Sequence, residues 1–321
     1  MLKSNMSTLS APPRRQWLDA PPVPLAVAAL TGVIFAFVGY RTLVSGYPYE
    51  DAYILFRYAR HLAAGDGIVF NVGGPHAEGA TDFLWMVTLA GLNRFGIDVA
   101  IAAVMLNAAG AALLAYLLCR TLQGSGGGVA KMLAYVLVIP VVVLSGAALA
   151  AYGGFSAMLY SALVVLLLHV VVRGGPRARL SIPFLALTLA LFRPDGVVLG
   201  ATFVVGGAFA AKRSAEGESA LRSYLFASAL SGLLGIVYFA WRWHYFGLLL
   251  PLPLYVKAHP NLSEKAAPFP GWLQRVFTTF PGLGPNVEWL LGSGVLLMCG
   301  LALGGAALVL RLDRVEWRAH A

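Results

Sequence analysis

Pro24-Leu-Ala-Val-Ala-Ala-Leu-Thr-Gly-Val-Ile-Phe-Ala-Phe-Val-Gly-Tyr-Arg-Thr-Leu-Val44 is an apolar run long enough to cross a bilayer as a helix. The acid pair Glu50-Asp51 follows it closely, within Tyr49-Glu-Asp-Ala-Tyr-Ile54. Two adjacent carboxylates at a membrane boundary cost solvation energy and add nothing to a lipid-facing helix. Chemistry explains them better than packing does.

Composition extends the membrane reading to the whole chain. Hydrophobic residues make up 59% and charged residues only 12% of 321, against roughly 25% charged in soluble domains. The length suffices for about seven or eight membrane segments of about 20 residues each, with no room for a large soluble domain. We expect an all-α membrane protein with one membrane domain over 21–311, between cytoplasmic tails at 1–20 and 312–321. The net charge of +9 is spread over short loops rather than gathered in one stripe, so it marks topology and anionic lipid, not nucleic acid. Cys119 and Cys299 both lie in apolar runs and imply neither a disulfide nor a metal site. The run from Pro24 is too long for a cleaved signal, so an uncleaved cytoplasmic start is expected.

After the first span comes a loop over 46–80, expected outside the cytoplasm because positive residues precede the span. Within it, Ile54, Leu55, Tyr58 and Leu62 recur at three and four, with Arg57, Arg60 and His61 on another side, which predicts an amphipathic surface helix over 51–64. Gly65-Asp-Gly67 ends that helix. Phe83 to Phe95 is too short for an ordinary crossing and reads as re-entrant or interfacial. Counting it as a crossing would place Arg173-Gly-Gly-Pro-Arg-Ala-Arg179 outside, against the charge rule.

Val99 to Leu118, Met132 to Ala151 and Phe155 to Val172 read as full-length spans. Leu180 to Phe192 and Val197 to Ala211 are short arms that meet at Arg193-Pro-Asp-Gly196, a polar break of the kind tolerated where it faces protein or water. Leu225 to Trp241 crosses again. A loop of about 40 residues follows, with an amphiphilic stretch over 268–280, and Val287 to Leu310 crosses last. This topology puts the 46–80 loop, the Arg193 break and the loop from Arg242 on one outer face. Carboxylates and cations meeting there could remove a proton from a hydroxyl while holding a lipid phosphate.

At these residues the chain resembles the GT-C superfamily of polytopic glycosyltransferases, in the branch of the mycobacterial terminal arabinofuranosyltransferase. The resemblance rests on Glu50-Asp-Ala-Tyr-Ile54, Phe56-Arg-Tyr58, Gly65-Asp-Gly67, Phe70-Asn71, Glu78-Gly-Ala-Thr-Asp-Phe-Leu-Trp85, Arg193-Pro-Asp-Gly196, and Tyr245-Phe-Gly247 with Pro251 and Tyr255-Val-Lys257. It departs where Leu248, Leu252 and Pro253 stand for the branch's Asp, Asn and Thr, and where Ser156 replaces a glutamate. The resemblance implies a GT-C-type multi-helix transmembrane bundle in the plasma (inner) membrane. It further implies transfer of a sugar, a pentofuranose in this branch, from a polyprenyl-phosphate donor to a cell-envelope glycan, lipid or protein outside the cytoplasm.

For that chemistry the expected base is Asp51, whose competing role is to cap the surface helix. Glu50 would orient it, bind acceptor hydroxyls or help hold a divalent metal, though no cofactor is firmly implied. Arg193, Lys257, Arg57 and Arg242 are the candidates for the donor phosphate, which needs fixed positive charge as it leaves. Glu78, Tyr53, Tyr255 and His244 are the candidates for substrate contact. Asp195 is read as a structural partner of Arg193, and Thr81 or Asp82 as a cap for the following helix. The donor, a glycan or glycolipid acceptor and membrane lipid are the expected partners. Two rival readings remain, a transporter or flippase and a noncatalytic relative that binds polyprenyl phosphate.

Overall fold

The computed structural model describes residues 22–46, 50–122, 128–249 and 251–252. The expected tails, the amphiphilic stretch over 268–280, the last span and residues Tyr255 and Lys257 lie outside the described residues. In chain order the helices are α1 (Pro22–Val44), α2 (Glu50–Ala64), α3 (Phe83–Arg94), α4 (Val99–Thr121), α5 (Gly128–Val143), α6 (Gly146–Tyr152), α7 (Ala157–Arg173), α8 (Pro176–Arg179), α9 (Ile182–Phe192), α10 (Gly196–Lys212) and α11 (Glu218–Phe246). No strand occurs among the described residues. The helices divide into two compact units, Met1–Ala52 with Ile97–Leu166 and Tyr53–Gly96 with Leu167–Ala321, and the division runs through α2 and α7.

In the first unit α1 lies along α4. Small residues allow this close approach, the usual device where apolar burial alone does not drive helices together. A Cβ at Gly32 would stand 3.1 Å from the Ala112 methyl, and one at Gly110 would come within 2.6 Å of the Leu159 Cα at the start of α7. Phe35, Ala111, Ala115, Cys119, Tyr135 and Met158 form the core, and Phe35 packs on Tyr152 at 4.5 Å between ring centroids. Asp98 caps α4 by accepting the Ala100 N–H at 2.9 Å.

Asn107 is a fully buried polar residue midway along the apolar α4. Its amide donates to the Ala103 and Phe155 carbonyls at 3.0 and 2.9 Å. Its Oδ1 accepts the N–H groups of Met158 and Leu159 at 3.2 and 3.3 Å. One side chain thus meets the bare N-terminal donors of α7 from a neighbouring helix.

The expected continuous span over 132–151 is instead two helices, α5 and α6, bent by 45°. Ser145 supplies the reason: its backbone is extended and its hydroxyl accepts the Ala148 N–H at 3.1 Å, which starts a new helix.

The second unit centres on α9, α10 and α11. α9 and α10 form an antiparallel hairpin about the Arg193 break. Glycines make it tight, since a Cβ at Gly196 would collide with the Leu189 carbonyl at 2.1 Å and one at Gly200 would lie 2.9 Å from the Ala186 carbonyl. α11 closes over the hairpin through Tyr224, whose hydroxyl donates to the Val204 carbonyl at 2.9 Å, and Ser231, which donates to the Pro183 carbonyl at 2.8 Å.

At about 1.5 Å per residue, α3 and α9 reach under 20 Å, well short of the ~30 Å hydrocarbon layer. α3 and the hairpin arm α9 therefore cannot cross singly, as their sequences imply. Among the described residues three helices, α1, α4 and α11, are long and apolar enough to cross a membrane, or four if α5 and α6 count as one bent span. Among the described residues the regular structure is thus all helical, with several potential membrane spans.

Replacing Asn107 with Ala leaves two amide donors and the Phe155 carbonyl buried without this partner. A loss of about 2–4 kcal/mol is expected, read as a lower thermal unfolding midpoint in detergent. An unchanged midpoint would show that the cap contributes nothing.

Candidate functional site

Glu50 and Asp51 open α2 as its first two residues, and both are exposed. Negative side chains suit the positive end of a helix dipole. From Tyr53 onward, α2 turns one face inward with Leu55, Phe56, Tyr58 and Ala59 buried, while Tyr53, Arg57 and Arg60 stay exposed. The amphipathic period is as expected. The chain's own loop, rather than lipid alone, covers part of this face: Tyr58 meets Phe70 at 5.9 Å between ring centroids. Gly65, with φ +95°, ends α2, and the Asp66 N–H closes on the His61 carbonyl at 3.0 Å.

Among the contacts that hold the loop from Gly65 to Asp82, three involve Glu78, its neighbours or α11. At the first, Tyr58 brackets Glu78: its hydroxyl donates to the Ala77 carbonyl at 2.5 Å and accepts the Gly79 N–H at 3.1 Å. At the second, Glu78 makes a two-pronged ion pair with Arg242, one turn before the end of α11. Arg242 Nε donates to Oε1 at 2.8 Å, and Nη2 donates to Oε2. Both residues are only 4% exposed. Arg242 Nη1 also donates to the Leu249 carbonyl at 2.9 Å and the Leu248 carbonyl at 3.4 Å, covering backbone acceptors beyond the helix end. At the third, the Ile68 N–H donates to the Tyr245 hydroxyl at 3.0 Å while His76 stacks flat on the Tyr245 ring at 4.3 Å.

Gly67 is required at this third contact. Its φ is +86°, and a Cβ there would stand 3.0 Å from the Tyr245 hydroxyl. Phe83 continues the contact by packing on Tyr238 and Trp241 at 4.7 and 5.6 Å. Gly247, with φ +72°, ends α11 beside these groups.

The expected site residues fare differently. Glu78 and Arg242 meet each other, so a substrate carboxylate or phosphate finds Arg242 already matched by an acid. Arg57 is exposed and oriented by its own loop: Nε donates to the Phe70 carbonyl at 2.7 Å and Nη2 to the Asn71 Oδ1 at 2.8 Å, with the guanidinium 4.4 Å from the Phe70 ring centroid. Neither of those oxygens is charged. Arg193 pairs with Asp195 at 3.0 Å, both of them partly exposed, the structural pairing read from the sequence. Tyr53 is half exposed and packs edge-on to Phe56, and His244 is exposed.

Trp85 is fully buried, so it is neither a boundary aromatic nor an open stacking surface. Asp82 stands at the cap position of α3 without a side-chain cap bond, and Thr81 Oγ1 donates to Asp82 Oδ1 at 3.4 Å. Ser156, also fully buried, precedes α7. No group of three or more His, Cys, Asp or Glu side chains is placed to hold a metal ion among the described residues.

Tyr58, Asn71, His76 and Tyr245 carry much of this geometry; the sequence placed Tyr58 on the apolar face of its helix and Tyr58, Asn71 and Tyr245 within motifs, but named none of the four as a site residue. Their signal is aromatic or amide identity beside polar turns, which single-sequence spacing does not separate from boundary aromatics. Burial pushes the Tyr58 hydroxyl above the ordinary tyrosine value; the Gly79 N–H opposes that rise and the nearby Glu78 charge adds to it.

Against protein-family models, curated proteins and solved structures, the chain finds no match.

Arg242→Met leaves the Glu78 carboxylate buried and unpaired, with an expected loss of about 3–5 kcal/mol; adding Glu78→Gln recovers a good part of it. Thermal unfolding of the single and double variants checks this, and equal losses in both would show the pair to be worth little. For Tyr58, a raised value in the fold means stability fully present below the unfolded value of about 10 and lost as pH climbs through the folded value. Tyr58→Phe should therefore show a smaller alkaline loss of stability than the parent protein when both are titrated upward from about pH 9.

Proposed function

We propose that the protein is a GT-C-type glycosyltransferase that moves a sugar from a polyprenyl-phosphate donor to a cell-envelope acceptor on the extracytoplasmic face of the plasma membrane. Asp51 is the general base and Glu50 its neighbour on the acceptor. The observation that carries the reading is the exposed acid pair at the start of an amphipathic helix, in the ordered motifs that resemble this superfamily. A base of this kind needs an accessible carboxylate rather than one spent on an internal ion pair, and Asp51 is exposed.

The ion pairing redistributes the phosphate-binding roles. Arg242 is assigned to holding Glu78. Arg57 becomes the leading cation for the donor phosphate, because it is exposed, pre-oriented by two neutral acceptors and able to offer a fork of donors. Arg193 and Lys257 remain its proposed partners in that task. Transfer proceeds by attack of the acceptor hydroxyl on the anomeric carbon as Asp51 takes its proton; the bond to the phosphate oxygen breaks, and the polyprenyl phosphate leaves with its charge met by arginine. One base and direct attack imply inversion at that carbon.

Loss of Asp51 carries the test. Asp51→Asn should reduce transfer about 10²–10⁴-fold with unchanged expression and unfolding temperature, measured by comparing lipid-linked sugars and envelope glycans in cells with the parent, the variant and no protein. Near-normal glycan in the variant sinks the assignment. A transport reading draws on the break between α5 and α6, since interrupted helices serve carriers too. It predicts lipid-linked sugar moving across reconstituted vesicles with no acceptor present.

A further inference from the structure

In the second unit, the turn joining α10 to α11 and the short α8 enclose a partly open cavity of about 200 Å³. Arg177 and Arg179 line it from one side; Ser214, Glu216, Ser223 and Tyr224 line it from the other. The flanking sequence adds Arg173, Lys212, Arg213 and Arg222 against Glu216 and Glu218, so the surroundings are strongly cationic.

Arg179 is fixed in place by donating from Nη1 to the Ala210 carbonyl at 3.1 Å. Its Nε is fully enclosed and has no hydrogen-bond partner among the described residues. A buried donor without an acceptor is costly, and a guanidinium donor more so. Tyr224, which also lines the cleft, gives its hydroxyl hydrogen to the Val204 carbonyl at 2.9 Å. A cleft lined by the guanidinium groups of Arg177 and Arg179 suits a phosphate oxygen.

Position chooses the source of that phosphate. The cleft lies at the N-terminal end of α11, one of the helices long and apolar enough to cross a membrane, and headgroups would meet such a span at its end. Basic clefts at span ends take anionic headgroups, whose acyl chains then run along the apolar helix faces. Val205, Phe209, Leu225 and Phe226 on α10 and α11 are exposed and apolar, a surface suited to those chains.

We propose that this cleft binds the phosphodiester headgroup of an anionic phospholipid, with Arg179 and Arg177 as the ligating cations. The site is separate from the proposed transfer chemistry and stands whether or not that reading holds.

The test uses the full chain, delipidated in detergent, with affinity for added lipid read by native mass spectrometry. Phosphatidylglycerol should bind, and Arg177→Gln with Arg179→Gln should weaken it about tenfold. Unchanged affinity in that double variant overturns the proposal, as does an absence of phosphatidylglycerol binding to the parent. Phosphatidylcholine should bind more weakly; equal binding overturns the claim for anionic lipid. Inorganic phosphate binding as tightly as phosphatidylglycerol would mean a free anion site and overturns the lipid source. Should the double variant fail to fold, Glu216→Gln decides: removing the acid that lines the cleft should tighten binding severalfold, and no change overturns the proposal.

Discussion

The buried pair of Glu78 and Arg242 is the constraint on which the second unit's polar end depends. Two charges taken out of water recover their solvation only if every donor and acceptor is matched. Here the guanidinium spends two donors on the carboxylate and another on carbonyls past the end of α11. Tyr58 holds the backbone on either side of Glu78. The loop between α2 and α3 is thereby tied to a helix more than 160 residues later in the chain. Local bonds from Arg57 and Tyr58 of α2 hold the same loop, and the distant pair adds the tie to α11.

That bond also determines which charges remain for the proposed chemistry. An arginine matched by a buried acid is a poor partner for an incoming phosphate, whereas one held by neutral carbonyl and amide oxygens keeps its net charge. Arg57 is of the second kind. Stacking of His76 on Tyr245 and the closeness of Gly67 to the same hydroxyl hold the loop in one position. A pre-oriented cation loses little entropy on binding, which is the condition for electrostatic stabilisation of a leaving group.

Elsewhere the fold relies on contact rather than charge. Lipid-compatible helices gain little from burying apolar surface against one another, so the close contacts occur at Gly32, Gly110, Gly196 and Gly200. Polar groups inside this packing serve backbone ends. Asn107 meets the start of α7, and Ser145 starts α6. The break between α5 and α6 is tolerable because the serine supplies the acceptor that the interrupted ladder lacks.

Helix positions were legible in the residues themselves. An apolar run of the right length dictates α1, α4 and α11, and the period of three and four dictates the inner face of α2. The short arms about Arg193-Pro-Asp-Gly196 were legible too, because proline and glycine act locally. The pairing of Arg193 with Asp195 followed from a separation of two residues. The division of the candidate cations was not legible. Arg57, Arg193 and Arg242 look alike in sequence, and only the folded chain commits Arg242 to Glu78. The bend after Val143 is different: its cause, Ser145 capping Ala148 three residues on, is local, but hydropathy summed over the apolar run does not register it. Hydropathy and period are sums over neighbours in the chain and so were readable from the sequence alone; ion pairs and caps between distant segments depend on which groups meet in space, and tertiary packing decided those.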